Sequence, residues 1–171
     1  MVGWIVICVL LICADQWTKY WAVTNLSGGA DRTVIPHLFG FSYAENNGAA
    51  LGILGGAQWF LIALTVAALT AIVVYVVCNR TRIERLLMSA LTLIAAGAGG
   101  NLIDRLFNHG IVIDFLRFPF LDFVAKFSCN IADVCVTAGG ILLAVYLLFF
   151  YQEKKEGEGN AKAEADSERR L

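Results

Sequence analysis

Residues 59–78 read Trp-Phe-Leu-Ile-Ala-Leu-Thr-Val-Ala-Ala-Leu-Thr-Ala-Ile-Val-Val-Tyr-Val-Val-Cys, without one charge. About 20 mostly apolar residues in a helix cross the hydrocarbon core of a bilayer, and this run meets that length unaided. Working outward from it, three more stretches qualify. Residues 2–21 are apolar until Asp15 and Lys19, residues 86–103 are shorter and end in Asn-Leu-Ile-Asp-Arg, and residues 131–151 carry Asp133 in their first turn. Of the 171 residues 58% are hydrophobic and only 16% are charged, against about a quarter charged in soluble domains. The sequence therefore predicts an all-α membrane protein of four transmembrane helices.

The first run has no basic residue before it and no small-x-small cleavage site after it, so it is expected to be a retained helix rather than a cleaved leader. Arg80, Arg82 and Arg85 crowd the connection between spans two and three, which places that loop in the cytoplasm. Four spans then put both termini in the cytoplasm as well. A domain of residues 1–151 is expected, with a small β-rich extracytoplasmic platform at about 25–56, between spans one and two. There the alternation Phe39-Gly40-Phe41-Ser42-Tyr43 suits a half-buried strand at the interface. Residues 152–171 alternate Glu, Lys, Gly and Ala and read as a disordered cytoplasmic tail. The net charge of −1 offers no attraction for nucleic acid or an acidic substrate. Five cysteines, none in a CxxC pair, fit neither a disulfide framework nor a zinc site and are expected to be small buried hydrophobes.

This topology gathers the polar residues. Asp15 and Lys19 fall at the outer end of span one, Asn101, Asp104 and Arg105 at the outer end of span three, and Asn130 and Asp133 at the outer start of span four. Asp15 and Lys19 stand four apart, the spacing of an ion pair; Asn101 and Asp104 stand three apart, as do Asn130 and Asp133. Charges at membrane depth are costly and face a cavity or a partner, so a shared site is expected. Plainer readings compete at several positions. Asp15 with Lys19 reads equally well as a structural pair with Lys19 snorkelling to the interface, Asp104 with Arg105 as a helix-end pair that locks the loop, and Asp122 and Glu45 as solvent-exposed. Asp133 in an apolar helix and Asp114 within Gly-Ile-Val-Ile-Asp-Phe-Leu resist such readings. The small residues Ala95-Ala96-Gly97-Ala98-Gly99-Gly100 fit close helix packing.

At these positions the sequence resembles the lipoprotein signal peptidases, or signal peptidase II. Asp15-Gln16-Trp17-Thr18-Lys19 is similar to that family's D-x-x-T-K motif, Asn46-Asn47-Gly48-Ala49-Ala50 to N-x-G-A-A, and Gly99 to Arg105 to G-N-x-x-D-R. Val112-Ile113-Asp114-Phe115 is similar to V-x-D-F, and Asn130-Ile131-Ala132-Asp133 to N-x-A-D. Leu51 and Cys129 depart from the usual phenylalanines beside two motifs.

The resemblance implies an intramembrane aspartic endopeptidase that removes the signal peptide from diacylglyceryl-modified prolipoproteins, cutting before the lipidated cysteine. It implies Asp114 and Asp133 as the catalytic pair, with Asp15, Lys19, Asn46, Gly48, Asn101, Asp104, Arg105, Asn130 and Ala132 binding substrate or supporting the site. It further implies a monomer in the bacterial cytoplasmic membrane, in contact with lipid, with its active site near the outer face and no metal or cofactor. A proton-coupled transporter and a structural adaptor are the alternatives. The first is disfavoured because the inner halves of the spans lack ionisable residues; the second would leave Asp114→Asn silent.

Overall fold

The computed structural model describes residues 1–29, 31–48, 56–81, 83–122 and 127–151. Expectations for Ala49, Ala50, Leu51, Arg82, Lys126 and residues 152–171 lie outside these.

Among the described residues, four helices are long and apolar enough to cross a membrane: α1 (Val2–Leu26), α2 (Gln58–Cys78), α3 (Arg85–Phe107) and α4 (Ile131–Val145), which continues as a π-helical turn over Tyr146–Phe150. Two ends lie further along than hydropathy alone suggests. Span one reaches Leu26 instead of residue 21, because Ala22 and Leu26 are fully buried against Ile113 and Phe115. Span three reaches Phe107 instead of residue 103, so Asp104 and Arg105 sit inside its last turns, both buried. Burial of a polar stripe keeps these turns helical, and a hydropathy window cannot register that.

The helices pack around α3, whose buried face runs through Ala90, Ala96, Gly97 and Gly100. A Cβ on Gly97 would lie 2.2 Å from the carbonyl oxygen of Ala132, so only glycine admits α4 at that depth. At Gly100 it would lie 2.6 Å from Asp15 Oδ2, and α1 closes in there. The outward faces of α1, α2 and α4 carry exposed Val, Leu, Ile and Phe, suited to lipid. Cys13 and Cys78 also lie exposed on such faces, whereas Cys129 and Cys135 are buried; the expected burial thus holds for two of these four.

A four-stranded antiparallel sheet, ordered β1-β2-β3-β4, caps one end of the bundle. Strand β2 (Phe39–Asn46) covers the expected strand, and it pairs with β1 (Arg32–Ile35) as a hairpin between α1 and α2. Strands β3 (Val112–Arg117) and β4 (Ser128–Cys129) come from the connection between α3 and α4. The platform is therefore assembled from two distant segments and is not confined to residues 25–56. Periodicity could not show this, since Val112 to Phe115 are buried on both faces and give no alternation. The chain enters β3 through His109 and Gly110, at φ 51° and 86°. A Cβ on Gly110 would also strike the Gln58 side chain at 2.3 Å, so glycine is required there twice over.

Candidate active site

The polar cluster lies where α1, α3 and α4 meet the sheet. On α1, Asp15 and Lys19 are 1% and 3% exposed. Lys19 Nζ lies 2.8 Å from Asp15 Oδ2 and 2.9 Å from Asp104 Oδ2, and it donates to Asn101 Oδ1 at 2.9 Å. A buried ammonium needs such a set of acceptors to offset its lost hydration. Asp15 Oδ1 accepts the backbone N–H of Ala132 at 2.8 Å, and Asp104 Oδ2 accepts that of Ile113 at 3.2 Å. The Asp15–Lys19 pair forms, but Lys19 is buried and does not snorkel to the interface; the pair instead ties α1 to α3 and to the start of α4.

Asp104 and Arg105 do not lock the helix end together. Adjacent residues point about 100° apart around a helix, and they part company here. Asp104 turns to Lys19, while Arg105 Nη2 donates to the carbonyl of Gly48 at 3.0 Å and Nη1 to that of Asn101 at 3.4 Å. Among the described residues, Arg105 Nε is buried without a hydrogen-bond partner. Asp122 likewise departs from its expected exposure: it is half-buried and pairs with Arg117. Glu45 is exposed as expected, accepting from the Tyr43 hydroxyl at 2.8 Å.

Asn130 caps α4 in a reciprocal capping box with Asp133. Its Oδ1 accepts the Asp133 N–H at 2.9 Å, and Asp133 Oδ2 accepts the Asn130 N–H at 3.2 Å. Asn101 Nδ2 donates to Asp133 Oδ1 at 2.7 Å. Asp114, 2% exposed on β3, accepts from Asn130 Nδ2 at 2.8 Å and from Asn46 Nδ2 at 3.1 Å. The sheet register produces the second contact. Asn46 pairs with Val112 and Ala44 with Asp114, which makes Asn46 and Asp114 diagonal neighbours on one face.

A cavity of about 430 Å³ opens beside this cluster. Asn46, Asn101, Arg105 and Asp133 line its polar part, and Leu61, Leu64 and Val136 its apolar part. Asp114 lies one hydrogen bond behind that wall. Burial first, and the Asp133 charge second, push Asp114 up to about 7, against the lowering effect of its bonds to Asn46 and Asn130 and of Lys19. Cys129 also lines the cavity. Burial and the two carboxylates push its thiol up to about 12, so it is an inert wall and no nucleophile.

The expected Asp15, Lys19, Asn46, Gly48, Asn101, Asp104, Arg105, Asp114, Asn130, Ala132 and Asp133 all belong to this one network. Two participants were not foreseen. Gln16 Nε2 donates to Asp104 Oδ1 at 2.9 Å and to the Gly100 carbonyl at 3.1 Å, and Gln58 Nε2 donates to the Arg105 carbonyl at 3.2 Å. A glutamine inside a membrane span is the signal that marked Gln16; Gln58, just ahead of the apolar run, carried none.

Fold and site together define an integral membrane protein in which the buried Asp114 and the half-buried Asp133 are held by amides at one end of a four-helix bundle. The family model for signal peptidase (SPase) II matches residues 7–149, and the chain belongs to that family. It is 44% identical over 144 residues to the lipoprotein signal peptidase of Clostridium tetani, covering 84% of this chain and 91% of that one. It is 37% identical over 154 residues to that of Latilactobacillus sakei, covering 90% and 97%. Its fold is similar to that of a bacterial membrane enzyme solved by the in meso method, with a TM-score of 0.78 and 36% identity over 86% of this chain and 88% of the other.

Proposed function

We propose that this protein removes the signal peptide from lipid-modified prolipoproteins as an aspartic endopeptidase, cutting before the lipidated cysteine, with Asp114 and Asp133 as its catalytic pair. The observation that carries this reading is the bridging of the two carboxylates by Asn101 and Asn130 beside an open cavity.

Two neighbouring carboxylates in a low-dielectric site cannot both ionise cheaply, so they hold one proton between them near neutral pH. The raised value of Asp114 fits that state. The ionised member takes a proton from water as the water attacks the scissile carbonyl. The protonated member donates to the carbonyl oxygen and then to the leaving amine. Asn46 and Asn101, which line the cavity, offer amide N–H donors to the substrate backbone. Leu61, Leu64 and Val136 suit the apolar signal helix, which keeps its contact with lipid while its end reaches the polar floor. The bundle of residues 1–151, the cytoplasmic termini and an outward-facing sheet belong to the same reading, because a lipidated cysteine stays at headgroup level.

The test is turnover of a lipidated prolipoprotein peptide by purified protein in detergent. Wild type cleaves, and Asp114→Asn and Asp133→Asn each lose about 10³-fold or more in kcat while remaining folded. Normal cleavage by both variants would overturn the two-carboxylate mechanism.

A further inference from the structure

Three asparagines touch the two carboxylates, and in each the side-chain oxygen is held by a group that can only donate. Lys19 Nζ lies 2.9 Å from Asn101 Oδ1, the Asp133 N–H 2.9 Å from Asn130 Oδ1, and the Gly48 N–H 3.0 Å from Asn46 Oδ1. An ammonium or a peptide N–H has no lone pair with which to accept. These contacts therefore identify the oxygen end of each amide by chemistry, where shape alone would leave it ambiguous. Each NH₂ is left facing a carboxylate. Asn101 Nδ2 meets Asp133 Oδ1 at 2.7 Å, Asn130 Nδ2 meets Asp114 Oδ1 at 2.8 Å, and Asn46 Nδ2 meets Asp114 Oδ2 at 3.1 Å. Asn130 Nδ2 also reaches Asn101 Oδ1 at 3.2 Å. An amide chain thus joins the two carboxylates, its donors running outward from Asn130 Nδ2, directly to Asp114 and through Asn101 to Asp133.

We infer that Lys19 is a positioning residue for the reaction: its ammonium sets the direction of the Asn101 amide, and through it the polarity of the chain that holds both carboxylates. This rests on the reading of Asp114 and Asp133 as the catalytic pair. Neutral N–H donors stabilise whichever carboxylate is ionised without removing its basicity as a cation in direct contact would. A reversed Asn101 would aim its oxygen at Asp133, replacing attraction by repulsion. Lys19 prevents the reversal, being itself fixed between Asp15 and Asp104, the latter held in turn by Gln16. The charged groups facing Asn101 are Lys19 and Asp15 from α1, Asp104 and Arg105 from α3, Asp114 from β3 and Asp133 from α4. Helix α2 contributes none.

The experiment uses full-length protein in detergent and a lipidated prolipoprotein peptide, with kcat and KM measured from about pH 5 to about pH 9. Asn101→Asp keeps the size of the side chain and an acceptor for Lys19, but presents a carboxylate oxygen to Asp133. Its kcat near pH 8 falls about 10- to 100-fold with KM little changed. The deficit shrinks as pH falls, because the introduced carboxyl donates again once protonated. Lys19→Met also loses kcat, and Lys19→Arg, which restores a donor without lone pairs, recovers most of it. The inference is overturned if folded Asn101→Asp keeps wild-type activity, or if it loses the same factor at every pH, as a purely structural defect would cause. Should Lys19→Met fail to fold, Asn101→Asp decides alone, since it retains the partners of Lys19. Wild type and Asp114→Asn run alongside: cleavage by Asp114→Asn, or none by wild type, refutes the catalytic pair itself and not only the amide chain.

Discussion

At 2% exposure, Asp114 gives up most of the hydration a carboxylate has in water, and three asparagine contacts around the pair only partly replace it. The folded protein holds the Asp114 proton up to about pH 7, while the unfolded chain releases it near the ordinary value of 3.8. The folded state therefore binds more protons across this window, and stability falls as pH rises from about 4 to about 7. Replacing Asp114 by asparagine removes that penalty. Asp114→Asn is expected to be more heat-stable than wild type at pH 8, by on the order of a few kcal/mol, with the advantage fading toward pH 4. Melting curves in detergent at both pH values check this, and an Asp114→Asn protein less stable than wild type at pH 8 would contradict it. The sequence marked Asp114 and Asp133 because each stands alone in an apolar run. It could not show the divergence of Asp104 from Arg105 or the pairing of Asp122 with Arg117, because those depend on which neighbour arrives from elsewhere in the chain.

Helix α3 owes its central place to small residues, and their roles differ with position. Gly97 faces the Ala132 carbonyl so closely that a single methyl would have to push α4 away. Overpacking of this kind costs about 1–3 kcal/mol, and because Asp133 and the Asn130 cap ride on α4, activity should fall together with stability in Gly97→Ala. Gly140, whose Cβ would meet nothing within 4 Å, serves as the control. Gly140→Ala should leave activity unchanged and be neutral or stabilising by up to about 1 kcal/mol, because alanine favours the helix. Thermal stability and turnover of the two variants, compared side by side, separate these outcomes; equal behaviour would mean that close α3–α4 contact is not required. The glycine-rich run on α3 was visible in the sequence as a packing signal. Which glycine meets which partner was not, since that depends on the crossing of two helices.

Across the whole molecule, the C-terminal ends of α1 and α3, the N-terminal ends of α2 and α4, and all four strands gather at one end of the bundle. The arginine-bearing connection with Arg80 lies at the other. If the sheet faces outward as proposed, a membrane-impermeant thiol reagent applied to intact cells should label a cysteine placed at the exposed Glu45 and spare one placed at the exposed Arg80, in a background without the native cysteines. The reverse pattern would invert the topology and with it the proposed meeting with a lipidated cysteine at the outer surface. The sequence by itself determined the four spans, the strand at Phe39 to Tyr43, and the identity of almost every residue in the polar cluster. Apolar length, alternation and isolated charges are local properties, and one chain segment suffices to display them. Only the tertiary structure decided that Val112 to Arg117 complete the sheet, that Lys19 is shared by Asp15, Asp104 and Asn101, and that three amides turn their nitrogens toward two carboxylates. Each of these needs groups from two or more distant segments brought within about 3 Å, the range of a hydrogen bond.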